Sequence, residues 1–598
     1  MSGPPALHPA VADAGRPGQA DDGAAPARPS RRRWRLALLL GWLAQAAVRL
    51  LLATGQTMPV ATPDETGYLF AARVLTGGPG ADMSYGTVYR GGYPLLLTPA
   101  FWLADDPAVV YRLVQVENAL VSALMLPLAY VLLRRCGLAR LPAFLGGNLT
   151  ALLPGVVFFA EFALTDAVLP VVVLGWLLLA HSWLTAPREA VISRVTLYGV
   201  GASALAAYAY MCHTRGVLPL VVHAGLVVLA AVARWRPWRE ATVVGAVLAG
   251  VALAGTRLNH SLLSSLYPYG DNDLSGNLVR RVTTADGWGW TLGLGSGQLW
   301  YQLAVTGGVA GIGLLALVAL VLRRGVPGPS KAMALAVLAV AAGIALATSA
   351  ALPDEYRVGN YVYGRYLACV TPVLFALGLA VLLRARRRTV AWTAAGSAGL
   401  LVALAMIVDR YAGDRLSRYT FTPYDFPETS FLTWDWTRFR LWPATLAGLA
   451  LLAVVVLGRL LPGVSRRAGA AVLTCVFTVT FLGATGTANA RIGRPLVAEF
   501  SAATDLRGVA GPTTTPVVAV DRNISWRLRL PLYYWLAWDD VTDFDGRGTP
   551  PDADLVIVYW DGRTPVNATW PGGAPPDRQV VDSRDSPNDG WVAWGRDG

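Results

Sequence analysis

The sequence is poor in charge, in lysine and in cysteine. Only 15% of its 598 residues are Asp, Glu, Lys or Arg, against about 25% in a soluble globular protein. Apolar residues make up 54% and mean hydropathy is +0.45. A chain this apolar would not stay in water, which also excludes disorder for most of it, collagen and coiled coil. The four cysteines (Cys136, Cys212, Cys369, Cys475) stand far apart, with no CxxC pair and no Cys/His cluster. That excludes a disulfide framework and a zinc module. No P-loop and no dinucleotide fingerprint is present, so nothing calls for a nucleotide. What remains is a polytopic membrane protein.

The net charge of +12 raises the question of nucleic acid. Its distribution argues otherwise. Lys331 is the sole lysine, and most arginines fall in short clusters between apolar runs, which is the pattern of the positive-inside rule. No nucleic-acid partner is expected; the lipid bilayer is.

Residues 1–30 have no apolar periodicity and read as a disordered cytoplasmic tail. Arg31-Arg32-Arg33-Trp34-Arg35 then leads into the apolar run Leu36–Thr54. The run has no convincing small-residue cleavage site, so it reads as an uncleaved first span. Spans need about 17–25 residues each. Further runs lie near 113–133, 141–161, 163–184, 195–212, 215–233, 241–258, 298–322, 331–352, 365–383, 390–411, 441–462 and 468–489. The fold class is therefore α-helical and polytopic, with about thirteen transmembrane helices. Alternate loops are basic, among them Arg134/Arg135/Arg140, Arg234/Arg236/Arg239 and Arg384/Arg386/Arg387/Arg388. This places the N-terminus in the cytoplasm and the C-terminus outside a multi-pass plasma-membrane protein. The outer loops 55–112, 259–297, 353–364 and 412–440 are long, and the chemistry is expected there. Tryptophans near the outer boundaries, such as Trp288, Trp300 and Trp442, read mainly as an interfacial belt. From about 490 the pattern changes. Val517–Val520 and Leu555–Trp560 read as short buried strands, and Leu532–Trp538 as a helix or a strand. Residues 490–598 thus form a small extracytoplasmic α/β domain, following a membrane domain over 31–489.

Candidate chemistry begins with Thr62-Pro63-Asp64-Glu65, directly after the first span. Proline and two acids also make a good helix start, because acids favour the helix N-terminus. Tyr89-Arg90-Gly91-Gly92-Tyr93-Pro94 follows in the same loop, ahead of Leu95–Leu103, too short to span and suited to the interface. An arginine between tyrosines at headgroup depth suits a lipid phosphate, or simply snorkels. Glu161 and Asp166 sit in a connection so short and apolar that they are expected to face a cavity. Basic candidates are Arg215 in Cys212-His213-Thr214-Arg215 and Arg365 in Gly364-Arg365-Tyr366-Leu367, with His213 and His260 weaker. Asp271-Asn272-Asp273 offers oxygen ligands for a divalent metal, though a solvated turn explains it better. No cofactor is required.

Together these features resemble the GT-C superfamily of integral-membrane glycosyltransferases, in the branch of protein mannosyltransferases and the lipid A aminoarabinose transferase. The resemblance rests on Asp64-Glu65 after the first span, Leu164-Thr165-Asp166 opening the fourth, the Tyr89–Pro94 segment, and Gly364-Arg365-Tyr366-Leu367 with Pro372. Arg90 stands where a lysine is common, and the C-terminal domain has no matching signature. The resemblance implies transfer of a sugar from a polyprenyl-phosphate donor to an acceptor hydroxyl at the outer face, usually with inversion. Asp64 would be the base, Asp166 and Glu65 would assist or orient, and Arg90, Arg365 and Arg215, with Tyr89 and Tyr93, would hold the lipid phosphate. Sugar and acceptor stay open. The alternatives are a secondary transporter, for which no internal repeat is seen, and a noncatalytic cell-envelope assembly protein.

Overall fold

In lipid every backbone polar group must be satisfied within the protein, and a helix does this within one segment. The computed structural model describes residues 31–187, 192–461, 465–506, 517–536, 540–586 and 589–596; the expected tail, 1–30, lies outside them. Among the described residues 10 helices are long and apolar enough to cross a membrane, and up to 13 spans result if three bent pairs each count as one. The protein is a multi-pass membrane protein of the expected class.

The three bends lie where glycine or proline breaks the helix. Arg140–Ala151 meets the segment beginning at Pro154 at 61°, and Gly359–Leu367 meets the helix containing Pro372 at 71°. Proline supplies no amide, so it suits the first turn of a new helix. The sharpest bend, 115°, separates Ala285–Val305 from Val309–Leu322. Gly307 and Gly308 occupy it with φ of 54° and 70°, a region that costs glycine least. The run expected to span 298–322 is therefore a reversal, and its first helix starts at Ala285 inside the expected outer loop.

The first outer loop folds into two helices, Asp64–Leu75 and Gly92–Leu103. The Tyr89 ring lies across Gly67, where any Cβ would collide with it. The last span, Arg466–Ala488, runs through a π-helical turn, Asn489–Gly493, into Arg494–Thr504. Beyond it lie strands β1 (Val517–Asp521), β2 (Asp540–Phe544), β3 (Leu555–Trp560), β4 (Arg578–Ser586) and β5 (Asp589–Arg596). Their order is β2-β1-β3-β5-β4. The first three are parallel and the last pairings antiparallel. Parallel neighbours need a crossover, and the helix Trp526–Trp535 lies between β1 and β2. It shows the start of the segment that read as helix or strand to be helical; the end of that segment, Ala537 and Trp538, lies outside the described residues. The domain docks on the membrane helices: Tyr534 donates to the Pro107 carbonyl at 2.6 Å.

Candidate active site

Three short 3-10 turns carry the charged residues: Thr165–Ala167, Thr214–Gly216 and Gly364–Leu367. Each sits at the end of a span. Irregular backbone beside spans persists where protein buries it or where it lines a cavity. Glycine favours two of these turns. Gly216 lies against the Ala209 carbonyl and Gly364 against the Tyr301 ring, and neither place admits a Cβ. The helix Asp64–Leu75 brings a fourth charge, placed in its first turn where the helix dipole favours an acid.

These elements bring Asp64, Asp166, Arg215 and Arg365 into one alternating network. Arg365 Nη1 donates to Asp64 Oδ2 at 2.9 Å, and its Nε donates to Asp166 Oδ2 at 2.9 Å. Arg215 Nη2 donates to Asp166 Oδ1 at 3.3 Å. Arg215 Nη1 also donates to the Arg365 carbonyl at 2.9 Å. The side chains of Asp166, Arg215 and Arg365 are 2%, 3% and 9% exposed, but that of Asp64 is 38% exposed. The network therefore has one open end, and it is a carboxylate. Tyr89 donates to its other oxygen, Oδ1, at 3.1 Å.

The remaining predicted residues divide. Arg90 packs over the Tyr210 ring at 4.5 Å and donates to the Tyr210 carbonyl at 2.8 Å. It makes no direct bond to either carboxylate. It does share a neighbour with the network: burial and the charges of Arg215, Arg365 and Arg90 push the His213 imidazole well below its usual range. The His213 Nδ1 accepts from the Arg215 amide at 3.0 Å. Tyr93 is fully buried, with its hydroxyl donating to Asn118 at 2.9 Å.

Glu65 points into the protein. Its Oε2 accepts from the amides of Val60 and Ala61 at 2.7 and 2.8 Å. Its Oε1 accepts from the Tyr111 hydroxyl at 2.6 Å and the Ala163 amide at 2.7 Å. Burial pushes its pKa up while these four donors pull it down, and the net direction is upward. The side chain ties the approach to Asp64 to the segment before Asp166. Glu65→Gln presents an amide N–H to donors in place of one oxygen. Loss of about 1.5–3 kcal/mol of stability is expected, the range for a hydrogen bond to a charged group, read as a lower thermal midpoint for the detergent-solubilised protein.

Glu161, expected to face a cavity, is buried, both its carboxylate oxygens lack a hydrogen-bond partner among the described residues, and it stands outside the network. Asp273 closes a turn on Ser275, accepting from its amide at 2.8 Å and its hydroxyl at 2.6 Å. Among the described residues no group of three His, Cys, Asp or Glu side chains could hold a metal.

Other residues join the site without having been singled out in the sequence. The Tyr363 hydroxyl accepts from Arg365 Nη1 at 3.2 Å. A narrow cleft is lined by Arg365, Phe159, Tyr301, Gln302, Asp425 and Glu428 among others. Burial raises Asp425 to about 6 against the opposing charges of Arg357 and Arg365. Glu428, also raised by burial, accepts from the Tyr301 hydroxyl at 2.6 Å. The available signal was two acids between aromatics and prolines in Pro423-Tyr424-Asp425-Phe426-Pro427-Glu428.

The sequence matches no protein-family model and no curated protein sequence. The structure is similar to that of ArnT from Cupriavidus metallidurans bound to undecaprenyl phosphate, with a TM-score of 0.55 and 16% identity over 94% of this chain and 98% of that one. The apo state of the same protein gives a TM-score of 0.52 and 15% identity over the same shares. The chain thus has the fold of ArnT, the fold that the sequence resemblance implied.

Proposed function

We propose that this protein is a glycosyltransferase that moves a sugar from a polyprenyl-phosphate donor to an acceptor hydroxyl at the outer membrane face, with inversion. The observation that carries the reading is the Asp64–Arg365–Asp166–Arg215 network with its single open carboxylate. The fold supports it, since the ArnT structure of that fold holds undecaprenyl phosphate.

The chemistry follows from the charges. The donor phosphate enters beside Arg365, with Arg90 and Arg215 adding positive charge. It competes for the Arg365 nitrogen that now holds Asp64, which frees that carboxylate. Asp64 accepts the proton of the acceptor hydroxyl as its oxygen attacks the anomeric carbon. The bond from that carbon to the phosphate oxygen breaks, and polyprenyl phosphate leaves with the electron pair. The guanidinium groups stabilise the charge gathering on it. Asp166 holds both arginines in place and Glu65 positions the loop that bears Asp64. Tyr89 and Tyr93 frame the Arg90 loop. The N-terminus is cytoplasmic and the C-terminal domain outside.

The reconstituted protein, given undecaprenyl-phosphate-linked labelled mannose, glucose or arabinose and an envelope extract as acceptor, tests this. Label should pass to acceptor from a lipid donor. Transfer from nucleotide sugars alone, or no transfer from any donor, overturns the reading.

A further inference from the structure

Asp425 is an acid of the cleft with a buried oxygen left over among the described residues. Its side chain is 6% exposed and Oδ2 has no hydrogen-bond partner there. The nearest cation, Arg357 Nη1, stands 3.7 Å away, beyond hydrogen-bond reach. A buried acceptor left unmade costs about 1–3 kcal/mol, more when charged. Such an atom is retained where a ligand supplies the donor.

Three features say which ligand. First, the cleft is shared with Arg365, whose guanidinium faces Asp64 and Asp166. A phosphate taken by Arg365 leaves its own sugar within one bond, so the group entering the cleft belongs to the donor sugar. Second, the free space beside the acids takes a water-sized group rather than a ring; a hydroxyl or hydroxymethyl arm fits. Third, Gly359 lies against Oδ2 without a side chain to crowd it: a Cβ there would stand 2.7 Å away. Glu428 lies on the same wall, but one of its oxygens already accepts from Tyr301.

We propose that Asp425 Oδ2 accepts a hydrogen bond from one hydroxyl of the sugar being transferred and thereby sets which sugar is used. Asp425 is a specificity-determining residue on this assignment, and the base remains Asp64. The inference rests on the transferase reading.

The test takes the undecaprenyl-phosphate sugar that wild type uses best among mannose, glucose and arabinose, and compares it with donors lacking each hydroxyl in turn. A site built to bind a hydroxyl rejects the analogue lacking it by as much as about 10⁴-fold. Wild type should reject one deoxy donor by at least about 100-fold in kcat/KM. Asp425→Ala should reduce that ratio to within a few-fold and leave the ratios at other hydroxyls unchanged. Gly359→Ala, which crowds Oδ2 but keeps the carboxylate, should do the same and guards against misfolding of the first variant. A uniform loss of rate with every ratio preserved in both variants overturns the inference while the transferase reading stands. Absence of transfer by wild type overturns both.

Discussion

Asp64→Asn is expected to lower the rate of sugar transfer by about 10²–10⁴-fold, the usual contribution of a positioned general base. The substitution keeps shape and one acceptor oxygen but removes the ability to take a proton at neutral pH. The effect belongs to turnover. Asp64 is the exposed end of its network, at 38%, and Arg365 keeps its bond to Asp166 at 2.9 Å. Partly exposed ion pairs are worth about 0–1 kcal/mol, so abundance and thermal midpoint should stay near wild type. Donor KM should change little or fall, because Asp64 no longer competes for the guanidinium. Initial rates over a range of donor concentration separate these effects. Equal transfer rates in the two proteins would remove Asp64 from the base role.

Arg365→Lys is expected to damage both stability and activity. One guanidinium spans two carboxylates, through Nη1 to Asp64 and Nε to Asp166, each at 2.9 Å. An ammonium is a point charge on a flexible stem and cannot reproduce that fork. It is left to choose one acid. If it chooses Asp64, Asp166 keeps only Arg215, at 3.3 Å, in a site where its side chain is 2% exposed. Breaking a buried pair costs about 3–5 kcal/mol; the surviving Arg215 contact places this change at the lower end. Transfer should fall further, by about 10²–10³-fold, as for removal of one donor that stabilises developing negative charge. A lowered thermal midpoint together with slowed turnover is the expected signature. Slowed turnover with an unchanged midpoint would show that Arg365 does not anchor the network.

The membrane class and most of the spans were legible because hydropathy over a window of spanning length is a sum, and sums tolerate local error. Direction is not a sum. The window over 298–322 has the composition of one span, yet Gly307 and Gly308 turn the chain through 115°. Only the adjacent glycine pair hinted at it. The four charges now seen as a network were visible singly, because an ionisable residue at the edge of an apolar run is costly unless something faces it. Their pairing was not visible, since it joins residues 64, 166, 215 and 365 across the fold.

Asp64 and Glu65 illustrate the limit within two residues. Successive helical side chains point about 100° apart, so one acid faces the open end of the network and the other fills an internal socket of four donors. In the sequence only the family resemblance separated them, with Asp64 as base and Glu65 as an orienting residue; the socket of four donors was not visible. Asp425 was hidden for the opposite reason. An acid in a long outer loop reads as solvated, and here it is buried against the turn at Gly359, whose proximity the sequence does not record. The C-terminal strands β1 and β3 were legible as unbroken apolar runs. The antiparallel pair β4 and β5 was not, because Asp, Arg and Ser alternate through β4 in keeping with a partly exposed edge.

The most direct measurement follows both products of the same reaction, the glycosylated acceptor and undecaprenyl phosphate, in wild type beside Asp64→Asn at matched abundance. Wild type should release one undecaprenyl phosphate for each sugar transferred, with the configuration at the anomeric carbon inverted, and both products should fall together in the variant. Retained configuration, or undiminished transfer by Asp64→Asn, would contradict a single displacement driven from this carboxylate.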